Sequence, residues 1–359
     1  MGWQAKTRGG VTMNASAKVV GLDIAKDVFF AVGLDGHGKR VFKRKLSRDQ
    51  VLAQFAQMAP AMIGIEACAG SHYWARKLVE MGHDAKLIAA QHVRAYVTGN
   101  KNDMNDAAAI AEARSRGSTK YVPINTAAQQ DLQMLHRARS ALMTERVAMI
   151  NRIRAFAGEY GRVFPKRVER LRDGLKAWLN DPDNGLSGMA LETFRELKAQ
   201  LDDKDERIQA YDRRLNQAAR SELAKKLMEV PGVGPLTATA VQATIADPHH
   251  YKSARDFAAN LGLVPREHSS GGKQRLYGIT CRGDSYLRTL LIHGARSALR
   301  AASGKPDKLL QWATRLAERR SFNVAATALA NKMARVIWAL IAHGRPYVPA
   351  WSKDTPRPA

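Results

Sequence analysis

Apolar residues in the N-terminal third come in short runs separated by polar turns. KVVGLDI from Lys18, VFFAVGL from Val28 and KRVFKRK from Lys39 read as three strands. DGHG at Asp35–Gly38 has hairpin composition. A helix is predicted near Arg48–Met58, a fourth strand at AMIGIE from Ala61, a helix at about His72–Met81 and a fifth strand at AKLIAA from Ala85. This order predicts an α+β sheet that begins antiparallel and turns parallel. It is not the doubly wound dinucleotide-binding pattern, which alternates strand and helix from the start.

From about Thr126 the period changes. Leu135, Leu142, Met149 and Phe156 recur every seven residues, and the spacing returns at Phe194, Leu201, Ile208 and Leu215 after a break around NDPDNGLSG. Two such arms facing each other predict an antiparallel helical hairpin or a dimerising coiled coil. One face of a bundle would give the same spacing. From Ser221 the chain is again helical, and NVAATALANKMARVIWALIAHG is an Ala-rich helix suited to close packing. The resulting organisation is a flexible leader at 1–17, an α+β domain at 18–125, a helical arm at 126–220, a mostly helical domain at 221–350 and a tail at 351–359. Met13 is an alternative start.

Charge narrows the class of partner. Lys and Arg number 57 against 33 Asp and Glu, a net +24, while the apolar (45%) and charged (25%) fractions are those of a globular protein. Such a chain repels itself unless a polyanion neutralises it, and nucleic acid is the usual one. A membrane surface is the rival, but no apolar stretch approaches the roughly 20 residues of a bilayer span, and MGWQAKTRGG lacks the apolar segment of a signal peptide. Cys68 and Cys281 form no metal-like pair, and the ten histidines form no H-x-x-x-H pattern. Neither a disulfide framework nor a transition-metal site is expected, and a reducing, cytoplasmic setting fits.

Four acids stand out. Asp23 ends the first strand in GLDIAKD, Glu66 ends the fourth in IGIEACAG, and Asp103 and Asp106 lie in NKNDMNDAAAIAEA, where the second opens a helix. Carboxylates at the C-terminal ends of neighbouring strands project to one sheet edge, and acids three apart share one side of a helix start. Each alone has a plainer use, as a helix cap or a strand-end turn residue. Crowded together they repel unless a cation sits among them. Hard oxygen ligands select Mg²⁺ or Mn²⁺, and a paired-metal site can clamp a phosphodiester for in-line displacement.

Two loops add candidate chemistry. VPGVGP, between two apolar helices, has the form of a helix-hairpin-helix turn. Its Gly232 and Gly234 let backbone approach closely, with amides aimed at a phosphate at the next helix start; a plain interhelical turn fits equally. VPREHSSGGKQRLYG places Ser269 and Ser270 among Arg266, His268, Lys273 and Arg275, with Arg282 and Arg288 following. A serine attacks phosphorus only if a base or metal activates it. His268, two residues from Ser270, is one candidate base. An anion-binding loop has the same composition.

These motifs, with FAANLGLVPREHSSGGKQRLYGITCRGDSYLRTLL, run from about Lys18 to Trp351. The chain resembles the insertion-sequence-110 family of bacterial transposases, including its 1111 branch. The resemblance implies an RNase H/RuvC-like N-terminal domain, a coiled-coil arm and a C-terminal serine domain. Carried over by position, Asp23, Glu66, Asp103 and Asp106 are the acidic tetrad holding Mg²⁺ (or Mn²⁺), and Ser270 is the nucleophile, with Ser269 its adjacent alternative. It further implies recombination of element-end DNA with target DNA, guided by a structured RNA. A homo-oligomer, dimer or tetramer, would act at the bacterial nucleoid with composite sites. Two other readings fit the residues: a junction nuclease using metal-activated water, and a non-catalytic nucleic-acid scaffold.

Overall fold

The short apolar runs of the N-terminal third pair into one six-stranded sheet. In chain order its elements are β1 (Val19–Asp23), β2 (Val28–Leu34), β3 (Arg40–Ser47), α1 (Gln50–Ala56), β4 (Met62–Glu66), α2 (Ser71–Glu80), β5 (Asp84–Ile88), α3 (Ala90–Val93), α4 (Asp103–Ser115) and β6 (Tyr121–Val122). The computed structural model describes residues 17–100, 102–245 and 247–349. The tail and nearly all of the expected leader, Met13 included, lie outside the described residues. Two units are present, Met1–Thr126 and Ala127–Ala359.

The strand order is β3-β2-β1-β4-β5-β6. β1–β2 and β2–β3 are antiparallel, β1–β4 and β4–β5 parallel. The sheet thus changes sense at β1, in the mixed α+β arrangement expected. β6 adds a short antiparallel edge against β5; two residues are too few to show a period. The side-chain alternation of strands sends Val20 and Leu22 to one face, where they pack with Phe29, Ile63, Ile65 and with Phe55 and Trp74 from α1 and α2. Burying each such side chain stabilises the fold by about 1.5–3 kcal/mol. The opposite face carries Gly21 and Asp23 and is covered by α4, through Val19, Val32, Ala107 and Ala111.

The second unit contains α5 (Ala127–Glu159), α6 (Val168–Asn180), α7 (Gly188–Ala218), α8 (Glu222–Met228), α9 (Pro235–Thr244), α10 (Ala254–Asn260), a hairpin of β7 (Pro265–Glu267) and β8 (Leu276–Ile279), then α11 (Ser285–Arg300), α12 (Lys308–Arg319) and α13 (Phe322–His343). α5 and α7 run antiparallel. The ion pairs Arg139–Asp212, Arg146–Asp205 and Glu145–Lys204 join them, and from Arg139–Asp212 to either of the other two the α7 partner's number falls as the α5 partner's rises. Phe194, Leu201, Ile208 and Leu215 are all buried along α7.

The α5 heptad is different. Leu135 and Leu142 are half-buried, and Phe156 is 45% exposed. The buried apolar residues there are Met149, Ile150, Ile153 and Ala157, packed with Leu171, Leu175 and Trp178 of α6 as well as with α7. Packing against two helices shifts the buried stripe off the seven-residue line, because a straight helix turns every 3.6 residues. The N-terminal half of α5 docks on α9, where Gln129 donates to the Gln242 and Ile245 carbonyls and Gln133 to that of Ala243.

α13 corrects the expectation that no apolar stretch approaches a bilayer span: at 22 residues it is long and apolar enough. Its Ala326, Leu329, Ala330, Met333 and Ile337 are fully buried in the core of the second unit, which explains their apolar character without a membrane.

Candidate active site

Asp23 and Glu66 each follow a glycine by two residues, in GLD and GIE. The parallel register sets Gly21 beside Gly64 and Leu22 beside Ile65. Each acid therefore shares a face with its glycine, one step nearer the strand's C-terminal end. The glycines form the floor on which α4 lies. A Cβ on Gly21 would collide with the Ala107 carbonyl oxygen and the Ala111 amide nitrogen, and one on Gly64 would come within 2.9 Å of the Arg114 Cβ. Close approach brings the first turn of α4, with Asp103 and Asp106, to the edge where Asp23 ends β1. The helix start is fixed by Asn102, whose side chain accepts from the Asn105 amide at 2.8 Å.

Asp23, Asp103 and Asp106 each offer a carboxylate oxygen within 4.8 Å of the other two. Glu66 stands outside this trio, but its charge acts on Asp23 and is acted on by Asp106. At 4.8 Å two carboxylates repel by about 1–3 kcal/mol, depending on how much water screens them. Burial, then Asp106, Asp103 and Glu66, push the Asp23 carboxyl up to about 6. Burial and then Asp106 raise Glu66 as well, with Arg94 opposing. Burial, Glu66 and Asp23 raise the nearby Cys68 thiol, and the clustered donors are the three carboxylates. An octahedral Mg²⁺ at about 2.1 Å from its ligands holds their oxygens roughly 3–4 Å apart. The trio, its oxygens within 4.8 Å of one another, offers the oxygen-only donor set that such an ion takes and needs only a small inward adjustment to close on it.

The serines lie at the tip of the β7–β8 hairpin. Gly271 and Gly272 have φ of +57° and +74°, between Ser270 and Lys273, which pair across the turn. Two successive positive φ values are the geometry of a type I′ turn, which glycine adopts without strain. Ser269 is tied into the hairpin: its hydroxyl donates to Glu267 at 2.6 Å and accepts from the Arg275 amide at 3.2 Å. The Ser270 hydroxyl makes no hydrogen bond among the described residues and is exposed. His268 stands edge-on to Tyr277 and is not hydrogen-bonded to either serine. Arg266, Lys273, Arg275 and Arg282 are exposed around the hairpin.

Both regions fall inside family matches. Residues 20–161, which hold all four acids, match a DEDD transposase model of the IS110 group, described as Transposase. Residues 224–311, which hold both serines, match the Transposase IS116/IS110/IS902 family. The chain is 44% identical over 332 residues to a probable family 20 transposase of Pseudomonas aeruginosa, covering 92% of this chain and 98% of that one. It is 42% identical to the transposase for insertion sequence element IS1111A of Coxiella burnetii, covering 92% and 91%. The chain belongs to the IS110 family of transposases. The transposase for insertion sequence element IS1328 of Yersinia enterocolitica is 36% identical over 91% of this chain and 97% of its own.

Within this transposase, two residues expected at nucleic acid have other work. Arg288 is buried, and its guanidinium donates to the Leu261 carbonyl at 3.0 Å and the Arg282 carbonyl at 2.7 Å. It joins two loops whose glycines already touch, since a Cβ on Gly262 or Gly283 would strike the opposite backbone. The Arg288 Nη1 thus ties the two loops together. Gly232, at φ +86°, lies against the backbone of Gly294 in α11, and a Cβ there would come within 2.7 Å of the Gly294 carbonyl carbon. Helix packing thus accounts for that glycine. Gly234 has open space around it and precedes α9, so the turn's exposed side is at Gly234. Sequence reasoning missed Gly21, Gly64 and Glu267. The first two had a signal in the repeated glycine–apolar–acid triplet; Glu267 had none.

Proposed function

We propose that this transposase recombines insertion-element DNA with target DNA, that an element-encoded structured RNA guides it, and that Ser270 is the nucleophile. In this reading 18–125 is the RuvC-like acidic domain, 126–220 a coiled-coil arm through which a homo-oligomer forms, and 221–350 the serine domain. The reaction takes place on cytoplasmic DNA. Family membership supports DNA cutting and rejoining. The observation that carries the chemistry is the convergence of Asp23, Asp103 and Asp106 within 4.8 Å, with Glu66 beside them.

Mg²⁺ or Mn²⁺ held by Asp23, Asp103, Asp106 and Glu66 supplies Lewis-acid stabilisation of charge on the scissile phosphate. Ser270 Oγ bonds to phosphorus as the bond from phosphorus to the leaving deoxyribose oxygen breaks. The hydroxyl proton passes to water, and the leaving oxygen takes a proton from water. Ser269 and Glu267 hold the hairpin so that Ser270 is the free hydroxyl. The exposed Arg266, Lys273, Arg275 and Arg282 hold backbone phosphates, and the open backbone at Gly234 offers a further contact.

A second reading has its own support. Among the described residues no base is hydrogen-bonded to Ser270, whereas the acidic trio is already assembled, which favours attack by water as in a junction nuclease. Incubation with element DNA and Mg²⁺, followed by a denaturing gel, separates the two. A covalent DNA–protein adduct that Ser270→Ala abolishes and Ser269→Ala retains supports the serine. Cleavage to free ends with no adduct refutes it. Asp106→Asn should reduce cleavage at least about 100-fold while DNA binding persists, and full cleavage in EDTA refutes the metal role.

A further inference from the structure

β3 carries two cations on the same sheet face as the acidic site. The register pairs Asp23 of β1 with Phe30 of β2, and Phe30 with Lys45 of β3. One step back, Gly21 pairs with Val32 and Val32 with Lys43. Directly paired residues point to the same face, so Asp23, Phe30, Lys45 and Lys43 share one side. Phe42 and Leu46 of the same strand point the other way, into the core with Phe29 and Phe55. β3 is an edge strand, α4 packs on β1, β2, β4 and β5, and Lys43 and Lys45 are exposed. Neither lysine forms an ion pair among the described residues, although 33 acids are available in the chain.

We infer that Lys43 and Lys45 form a track for the DNA backbone leading to the acidic site. The inference rests on the proposed cleavage at Asp23 and names where the flanking strand runs. Two strand spacings separate Lys45 from Asp23, about 10 Å. At about 3.4 Å of axial rise per nucleotide, that places Lys45 roughly three nucleotides from the scissile phosphate. Clustered carboxylates repel a polyanion, so a cut strand needs cations close by to stay at this edge. Phe30, half-buried, gives an apolar floor between the two charges. Lysines on an edge strand also hinder strand-to-strand aggregation. That role predicts no effect on DNA affinity.

The test uses the full-length Asp106→Asn protein in EDTA, so that binding is read without cleavage and independently of metal or serine. A DNA duplex and an RNA duplex of the same sequence are titrated across salt, with and without Lys43→Gln/Lys45→Gln. Loss of two phosphate contacts lowers the DNA salt slope by about 1.8, so that between 50 and 200 mM salt the variant loses about twelvefold less of its affinity than its parent. An unchanged DNA slope overturns the inference, even if adduct formation elsewhere supports Ser270. A change confined to the RNA duplex overturns it as well. Aggregation of the variant with an unchanged slope assigns the lysines to edge protection instead. The single Lys45→Gln, expected to lower the slope by about 0.9, serves if the double variant does not fold.

Discussion

Gly21→Ala should both destabilise the N-terminal unit and weaken its metal affinity, through one added methyl group. The new Cβ would lie 2.9 Å from the Ala111 Cα and closer still to the Ala107 oxygen and Ala111 nitrogen, all backbone atoms of α4. Ordinary carbon contacts are about 3.5–4.0 Å, so the helix has to lift by roughly 1 Å. Overpacking of this kind costs about 1–3 kcal/mol. For a unit near 100 residues, 2 kcal/mol lowers Tm by about 10 °C. The same lift carries Asp103 and Asp106 away from Asp23, which α4 does not move. Disturbed coordination of this kind lowers affinity about 10–100-fold. The assay is a thermal melt with and without Mn²⁺, with Mn²⁺ affinity followed by electron paramagnetic resonance. Gly36→Ala is the control, because a Cβ there meets nothing within 4 Å. If Gly21→Ala keeps both the Tm and the Mn²⁺ affinity of that control, the account of how α4 delivers its acids is wrong.

Two further outcomes follow from the same geometry. Because the Asp23 carboxyl is raised to about 6 from an ordinary 3.8, the metal-free fold favours its protonated form. That stabilisation is present below about pH 4 and is lost as pH rises towards 6, so chemical denaturation in EDTA should show this component declining across the window. Mn²⁺ affinity should run the opposite way, climbing up to about pH 6 and then levelling, since the cation needs the carboxylate; Asp23→Asn should remove both trends. Arg288→Ala should lower stability by about 1–3 kcal/mol by stranding the Leu261 and Arg282 carbonyls. It should leave the salt slope of DNA binding unchanged, and a slope reduced by about 0.9 would return Arg288 to the phosphate contacts.

Much of the site was legible because it depends on local pattern. Strands β1, β2, β4 and β5 are apolar runs with turn residues at their ends, and an acid at a strand's end needs no tertiary information to be noticed. Asp23 and Glu66 were visible for that reason, and Asp103 and Asp106 because they sit at the start of an alanine-rich helix. Sequence alone also carried the charge that selects a polyanionic partner and the motifs that select the family. Only the tertiary structure decided which chemistry-bearing residues meet and which are enclosed. Gly21 and Gly64 acquire meaning from a helix some 50–90 residues later pressing on them. Phe156 leaves the heptad line because α6 and α7 together choose the buried stripe of α5. Arg288 and Arg282 are alike in sequence, yet one reaches inward to two carbonyls and the other stays exposed. Lys45 comes into line with Asp23 through two strand registers. Periodicity records which face of its own element a residue occupies; what that face meets is set by long-range packing, where close approach and hydrogen-bond satisfaction determine the winner.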